Sequence, residues 1–231
     1  MFGLSDSHHF RKTVAGVSMI LAPLMALLAV VIAPERKENE AAMLASVAAD
    51  ADAFFVSQML ILGAIVVAIP AVLGLVHVLR EKEVAYGHVG GGLALVGLVA
   101  IAGVTGLELV VWRMAETGGA GIVALYSDVM ESAGVVIPLF FGSLGFGVGM
   151  LVLGMGLHRA KAVAPLHAVS IALGGLLLAV SGLVYAEWVT LIGAALLFAG
   201  LGMTGRLVLA ESDEDWEHTP EAAVRPLLGA R

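Results

Sequence analysis

The sequence predicts an all-α integral membrane protein of six transmembrane helices, built as repeated two-helix hairpins. Three observations predict it. Of 231 residues, 60% are hydrophobic and 13% are charged, where a soluble domain is about a quarter charged. The apolar residues gather into six runs near the length of about 20 residues that a bilayer core of roughly 30 Å demands of a helix. The basic residues also segregate. With the N-terminus inside, inner segments hold Arg11, Lys12, Arg80, Lys82, Arg159, Lys161, Arg206, Arg225 and Arg231, and outer segments hold Arg36, Lys37 and Arg113. That bias selects both termini on the cytoplasmic side of the cell membrane.

The chain divides into a cytoplasmic N-terminus (1–12), a membrane domain (13–209) of hairpins 13–80, 81–159 and 160–209, and an acidic cytoplasmic tail (210–231). The first run, Val14 to Ala33, is longer than a signal-peptide core, and a cut after Ala33 would leave Pro34 at the new terminus. It is expected to be a retained span. Residues 34 to 54 are acidic and Ala-rich, with Met43, Leu44, Val47, Ala51, Phe54 and Phe55 at helical spacing. That pattern suits an amphipathic helix on the outer surface. The second span, Phe55 to Leu79, carries Pro70, which neighbouring helices can accommodate.

The third span, His88 to Trp112, opens with Gly90-Gly91-Gly92, which permits close helix contact. In the outer loop of residues 113 to 133, Ile122, Val123, Leu125, Tyr126, Val129 and Met130 predict a second amphipathic helix. The fourth span, Gly134 to Leu157, holds the small-residue pair Gly145 and Gly149. Such faces pack either within one bundle or against partner helices. The fifth span, Pro165 to Val184, turns at Tyr185-Ala-Glu-Trp into the sixth, Val189 to Leu209. The tail, polar with Pro220 and Pro226, is expected to lack order.

An internal repeat organises these spans. Residues 80 to 108 align without a gap on residues 159 to 187, pairing Arg80 with Arg159, Lys82 with Lys161, His88 with His167 and Glu108 with Glu187. Those four are all the Lys, Arg, His, Asp and Glu of the second copy. Lys12-Thr-Val-Ala resembles Lys82-Glu-Val-Ala, which extends the pattern weakly to the first hairpin. Copies in one orientation are related by an axis along the membrane normal.

The candidate chemistry is sparse. Cys is absent, which removes disulfides and thiolate sites, and a net charge of −7 is no nucleic-acid signature. Neither a nucleophile elbow nor a phosphate-cradling loop is present, so the reading is non-enzymatic. Glu108 lies inside the third span and Glu187 in the outer turn. An ionisable residue in a span points to function. Alternatively, Glu108 pairs with Arg113 at the headgroup level. Asp128 and Glu131 complete an acidic outer surface, which either concentrates cations or is simply solvated. His77, His88, His158 and His167 all fall at inner span ends. Two at matched depth would suit a b-haem, whereas the structural reading is four imidazoles at the headgroups. The leading expectation is therefore a membrane protein that binds or passes a small solute or cation at Glu108. The alternatives are a haem or quinone-side redox subunit and an assembly subunit of a membrane complex.

Overall fold

The computed structural model describes residues 7–184 and 186–217, and every element in them is α-helical. The elements are α1 (Ser7–Ile32), α2 (Glu40–Ala49), α3 (Ala51–Val78), α4 (Val84–Thr117), α5 (Ala120–Glu131), α6 (Ala133–Ala160), α7 (Pro165–Val184), α8 (Glu187–Ala210) and α9 (Asp213–Glu217). Five contain stretches long and apolar enough to cross a membrane, in α1, α3, α4, α6 and α8. The described apolar stretch of α7, Pro165–Ser181, is shorter.

The six apolar helices form a closed ring in the order α1, α3, α4, α6, α7, α8, with α8 returning to α1. Small residues set the close crossings. A Cβ on Gly97 would meet the Phe146 backbone nitrogen at 2.3 Å, and one on Gly205 would meet the Gly16 carbonyl at 2.5 Å. Glycine at such contacts lets backbones touch. Gly145 and Gly149 lie against α4, at Leu93, Gly97, Gly90 and Ala94, so that face is used within the chain. Met19, Leu75, Met150, Leu153, Leu157 and Ile171 are buried at the ring's centre. The ring's outer face is apolar, with Val66, Val96, Val99 and Leu166 each about two-thirds exposed or more. Such a surface suits a hydrocarbon surrounding.

The two ends of the ring differ. The end that holds Lys12, Arg80 and Arg159 is called the tail end here, and the opposite one the cap end. At the cap end, α2 and α5 roof the top of α4, where Leu44, Val47, Phe54, Val111 and Ala115 form a second small core. Asn39 caps α2 by accepting from the Ala42 amide at 3.0 Å, and Ser127 donates to Glu40 at 2.8 Å, tying α5 to α2. Of the first amphipathic pattern, Met43, Leu44 and Val47 fall in α2 while Ala51, Phe54 and Phe55 open α3, which starts four residues before the expected span; the second pattern falls in α5. At the tail end, α6 stops at Lys161 in the left-handed region (φ 53°), with the Ala162 amide reaching back to the Leu157 carbonyl at 3.1 Å. That geometry closes a helix by satisfying its last carbonyls.

The paired glutamates of the repeat do not share an element. Glu108 lies well inside α4, which continues to Thr117, whereas Glu187 is the first residue of α8. The long α4 follows from its roof: Val111 and Ala115 have α2 and α5 to bury against, and among the described residues no such roof is seen over α7.

A candidate ligand site between α3 and α4

On α4 one stripe faces inward: Ala94, Leu98, Ile101, Thr105, Glu108, Trp112 and Ala115, spaced alternately by three and four residues. That spacing lays side chains along one helix face. Ala94, Leu98, Thr105 and Ala115 are buried, and Ile101, Glu108 and Trp112 are half-buried among them. Glu108 therefore sits on a protein-facing stripe. On α3 the corresponding stripe is Phe54, Gln58, Ile61, Ile65, Ala68, Val72, Leu75 and Leu79. Gln58 is 7% exposed.

The register of the two stripes follows from their glycines. A Cβ on Gly91 would meet Val76 Cγ2 at 2.4 Å, and one on Gly87 would meet Leu79 Cβ at 3.2 Å. Continued along the antiparallel pair, this register brings Phe55 to Trp112, whose ring centroids lie 4.8 Å apart. Glycines hold α3 and α4 together at the tail end, and aromatic rings hold them at the cap end. One turn below the aromatic pair, the same register sets Gln58 level with Glu108.

The polar groups at this level lack partners. Short hydroxyls in the spans satisfy themselves on their own helix: Ser57 donates to the Phe54 carbonyl at 2.8 Å, Thr105 to Ile101 at 2.9 Å and Ser181 to Leu178 at 2.8 Å. An ionised carboxylate has no hydrogen to donate to the carbonyls of its own helix. Among the described residues, nothing hydrogen-bonds the Glu108 carboxyl or the Gln58 amide. The indole Nε1 of Trp112 is buried and also lacks a partner there. Arg36, in the α1–α2 loop, supplies the cationic charge within electrostatic reach of Glu108. Its backbone amide donates to Glu187 at 2.6 Å. Just above Trp112, beneath α2 and α5, lies a cavity of about 230 Å³ lined by Ala41, Leu44, Met114, Ala115, Ile122 and Val123, among others.

The other expected residues lie elsewhere. Arg113 pairs with Glu116 and stands over the Trp112 ring at 5.2 Å, so the anticipated Glu108–Arg113 pair is not formed. The cause is geometric: Arg113 follows Trp112 on the exposed side of α4. Asp128 and Glu131 are exposed on α5. His88 is exposed, with Nδ1 2.9 Å from the Val84 carbonyl, and His158 is exposed at the end of α6. His167 is half-buried on α7, its Nδ1 buried without a partner among the described residues.

His77 takes part in a feature absent from the sequence reading. Part of the tail is ordered: α9 docks on the tail end, and Trp216 is 3% exposed. The Trp216 ring lies 4.3 Å from the His77 ring, and its carbonyl accepts from His77 Nε2 and Arg80, each at 2.7 Å. Lys12 is 6% exposed, donates to the Glu211 carbonyl at 2.7 Å and pairs with Asp213, which His9 also contacts at 3.1 Å. The Lys12 ammonium holds the Asp213 carboxyl below its ordinary range, and burial pushes the Glu211 carboxyl up. The expected disorder of residues 210 to 217 is thereby corrected, because Trp216 has an apolar seat and the acidic residues have Lys12. Pro220, Pro226, Arg225, Arg231, Tyr185 and residues 1–6 lie outside the described residues.

Arg36, Gln58 and Trp112 were missed as site residues by sequence reading. A signal existed for Gln58, whose amide interrupts an otherwise apolar run, and for Trp112, one turn beyond Glu108. None existed for Arg36, which chain tracing alone brings to the site. No protein-family model, no curated protein and no solved structure matches the chain.

Proposed function

We propose that this is a six-span, multi-pass protein of the cell membrane, both termini cytoplasmic, that binds or passes a small polar or cationic solute at Glu108. The carrying observation is that Glu108 sits on the inward stripe of a long apolar helix with no hydrogen-bond partner among the described residues. An unpaired carboxylate in a span costs about 2.5–3.5 kcal/mol at the helix centre and less near the interface. A bound solute with an N–H donor or a positive charge relieves that cost. The sixth span is α7, whose 20 residues reach roughly 30 Å at 1.5 Å per residue and which is wedged between α6 and α8. The basic residues of the tail end support its cytoplasmic placement.

The test is a thermal-stability screen of the purified full chain against inorganic cations, amines and small polar metabolites. A solute that stabilises the protein, and fails to stabilise Glu108→Gln, supports the reading. A solute that stabilises both forms equally, or no stabilising solute at all, refutes it.

A further inference from the structure

The site makes two opposite demands. Glu108 is an acceptor without a donor, and Trp112 Nε1 is a donor without an acceptor. They stand on the same stripe of α4, four residues apart, a rise of about 6 Å. Gln58, more than nine-tenths buried at the same level, adds a carbonyl and an amide with no partner of their own. Thr105, one turn below, spends its hydroxyl hydrogen on Ile101 but keeps a free lone pair. Arg36 adds a positive charge at the rim. A hard inorganic cation is poorly served, because it seeks six or more oxygens. Among the described residues no three His, Asp or Glu side chains gather at one point. An ammonium group is better served. Its three N–H donors match the oxygens of Glu108, Gln58 and Thr105, and the Phe55 and Trp112 rings lie beside it.

From these demands we infer that the solute is a small zwitterion with an apolar side group, of the amino-acid class. Its ammonium group sits between Glu108 and Gln58. Its carboxylate accepts from Trp112 Nε1 and faces Arg36. Its apolar side group enters the cavity of about 230 Å³ beneath α2 and α5. An amine alone leaves the indole donor unpaired, and a carboxylic acid alone meets the Glu108 charge with its own. A site built on hydrogen bonds discriminates strongly against analogues that lack one of the groups. This inference rests on the reading of Glu108 as a ligand site.

The experiment uses the full chain in lipid nanodiscs and measures binding of the twenty standard L-amino acids. The tightest is then compared with its decarboxylated amine and its deaminated acid. The expected result is saturable binding of an apolar amino acid, with both analogues weaker by about tenfold or more. Glu108→Gln should lose the amino acid and the amine together. Trp112→Phe, which keeps the ring, should weaken the amino acid about tenfold and leave the amine unchanged. Two outcomes overturn the zwitterion and leave the Glu108 site standing. In one, the amine binds as tightly as the amino acid and is indifferent to Trp112→Phe. In the other, only inorganic cations bind, in a manner lost in Glu108→Gln. If nothing binds in a Glu108-dependent way, both the zwitterion and the site are overturned.

Discussion

The tail end and the cap end of the ring both bring charged and polar groups into low-dielectric surroundings, and they treat them in opposite ways. At the tail end most demands are answered from within the chain, although the buried Nδ1 of His167 lacks a partner among the described residues. Lys12, 6% exposed, has Asp213 and the Glu211 carbonyl, and His77 and Arg80 share the Trp216 carbonyl. At the cap end Glu108, Gln58 and Trp112 Nε1 are left without partners among the described residues. A satisfied buried network rigidifies a structure, whereas an unsatisfied one costs stability in the absence of a ligand. The contrast marks the tail end as a fastening and sets the proposed ligand site at the cap end.

The sharpest way to break this comparison is to remove the fastening. Trp216→Ala deletes a side chain that is 3% exposed and packed against the His77 ring. A loss of about 3 kcal/mol is expected, the low end for a buried Trp because a short helix can undock instead. Chemical unfolding in detergent would measure it, and an unchanged midpoint would show that α9 fastens nothing.

At the cap end the sign should reverse. Gln58→Leu replaces the amide of a residue that is 7% exposed by a hydrocarbon of similar size, so stability should rise by about 1 kcal/mol while solute binding falls. A loss of stability would mean that Gln58 is satisfied, and the two ends would then be alike.

The pH dependence of tail docking gives a smaller effect, readable in Trp fluorescence. The Asp213 carboxyl is held below its ordinary value of 3.8 by Lys12, so its contribution is complete above that value and lost as pH falls through the lower folded one. Glu211 has the opposite sign. Burial raises it above 4.5, so its contribution is present below 4.5 and lost as pH rises through the folded value. Docking should therefore be tightest in mild acid, from just below 4 to somewhat above 4.5. A monotonic pH profile would show that one of the two groups is not coupled to docking.

The smallest effects are expected at the exposed acids. Glu187→Gln keeps an oxygen to accept the Arg36 amide, and Asp128→Asn and Glu131→Gln alter solvated groups. Each should shift stability by no more than about 0.5 kcal/mol and leave solute binding intact. A large loss of binding in any of them would move the site outward from Glu108 to the acidic surface.

What the sequence by itself determined was local and periodic. Five long apolar helices and the short helices between them follow from hydrophobic spacing, because hydrocarbon forces backbone polar groups into helices and apolar side chains outward. The tertiary structure alone decided who meets whom. The repeat equated Glu108 with Glu187, yet a roof over α4 lengthened one helix and left Glu187 to open the next. Arg113, five residues from Glu108, turned to Glu116, while Arg36, seventy-two residues away, came into reach. Trp216 and Lys12 looked like the ends of two unrelated segments until α1, α3 and α9 converged. Such pairings depend on the closure of α8 onto α1 and on the register of α3 against α4. Both are set by where glycines let backbones touch and where aromatic rings meet.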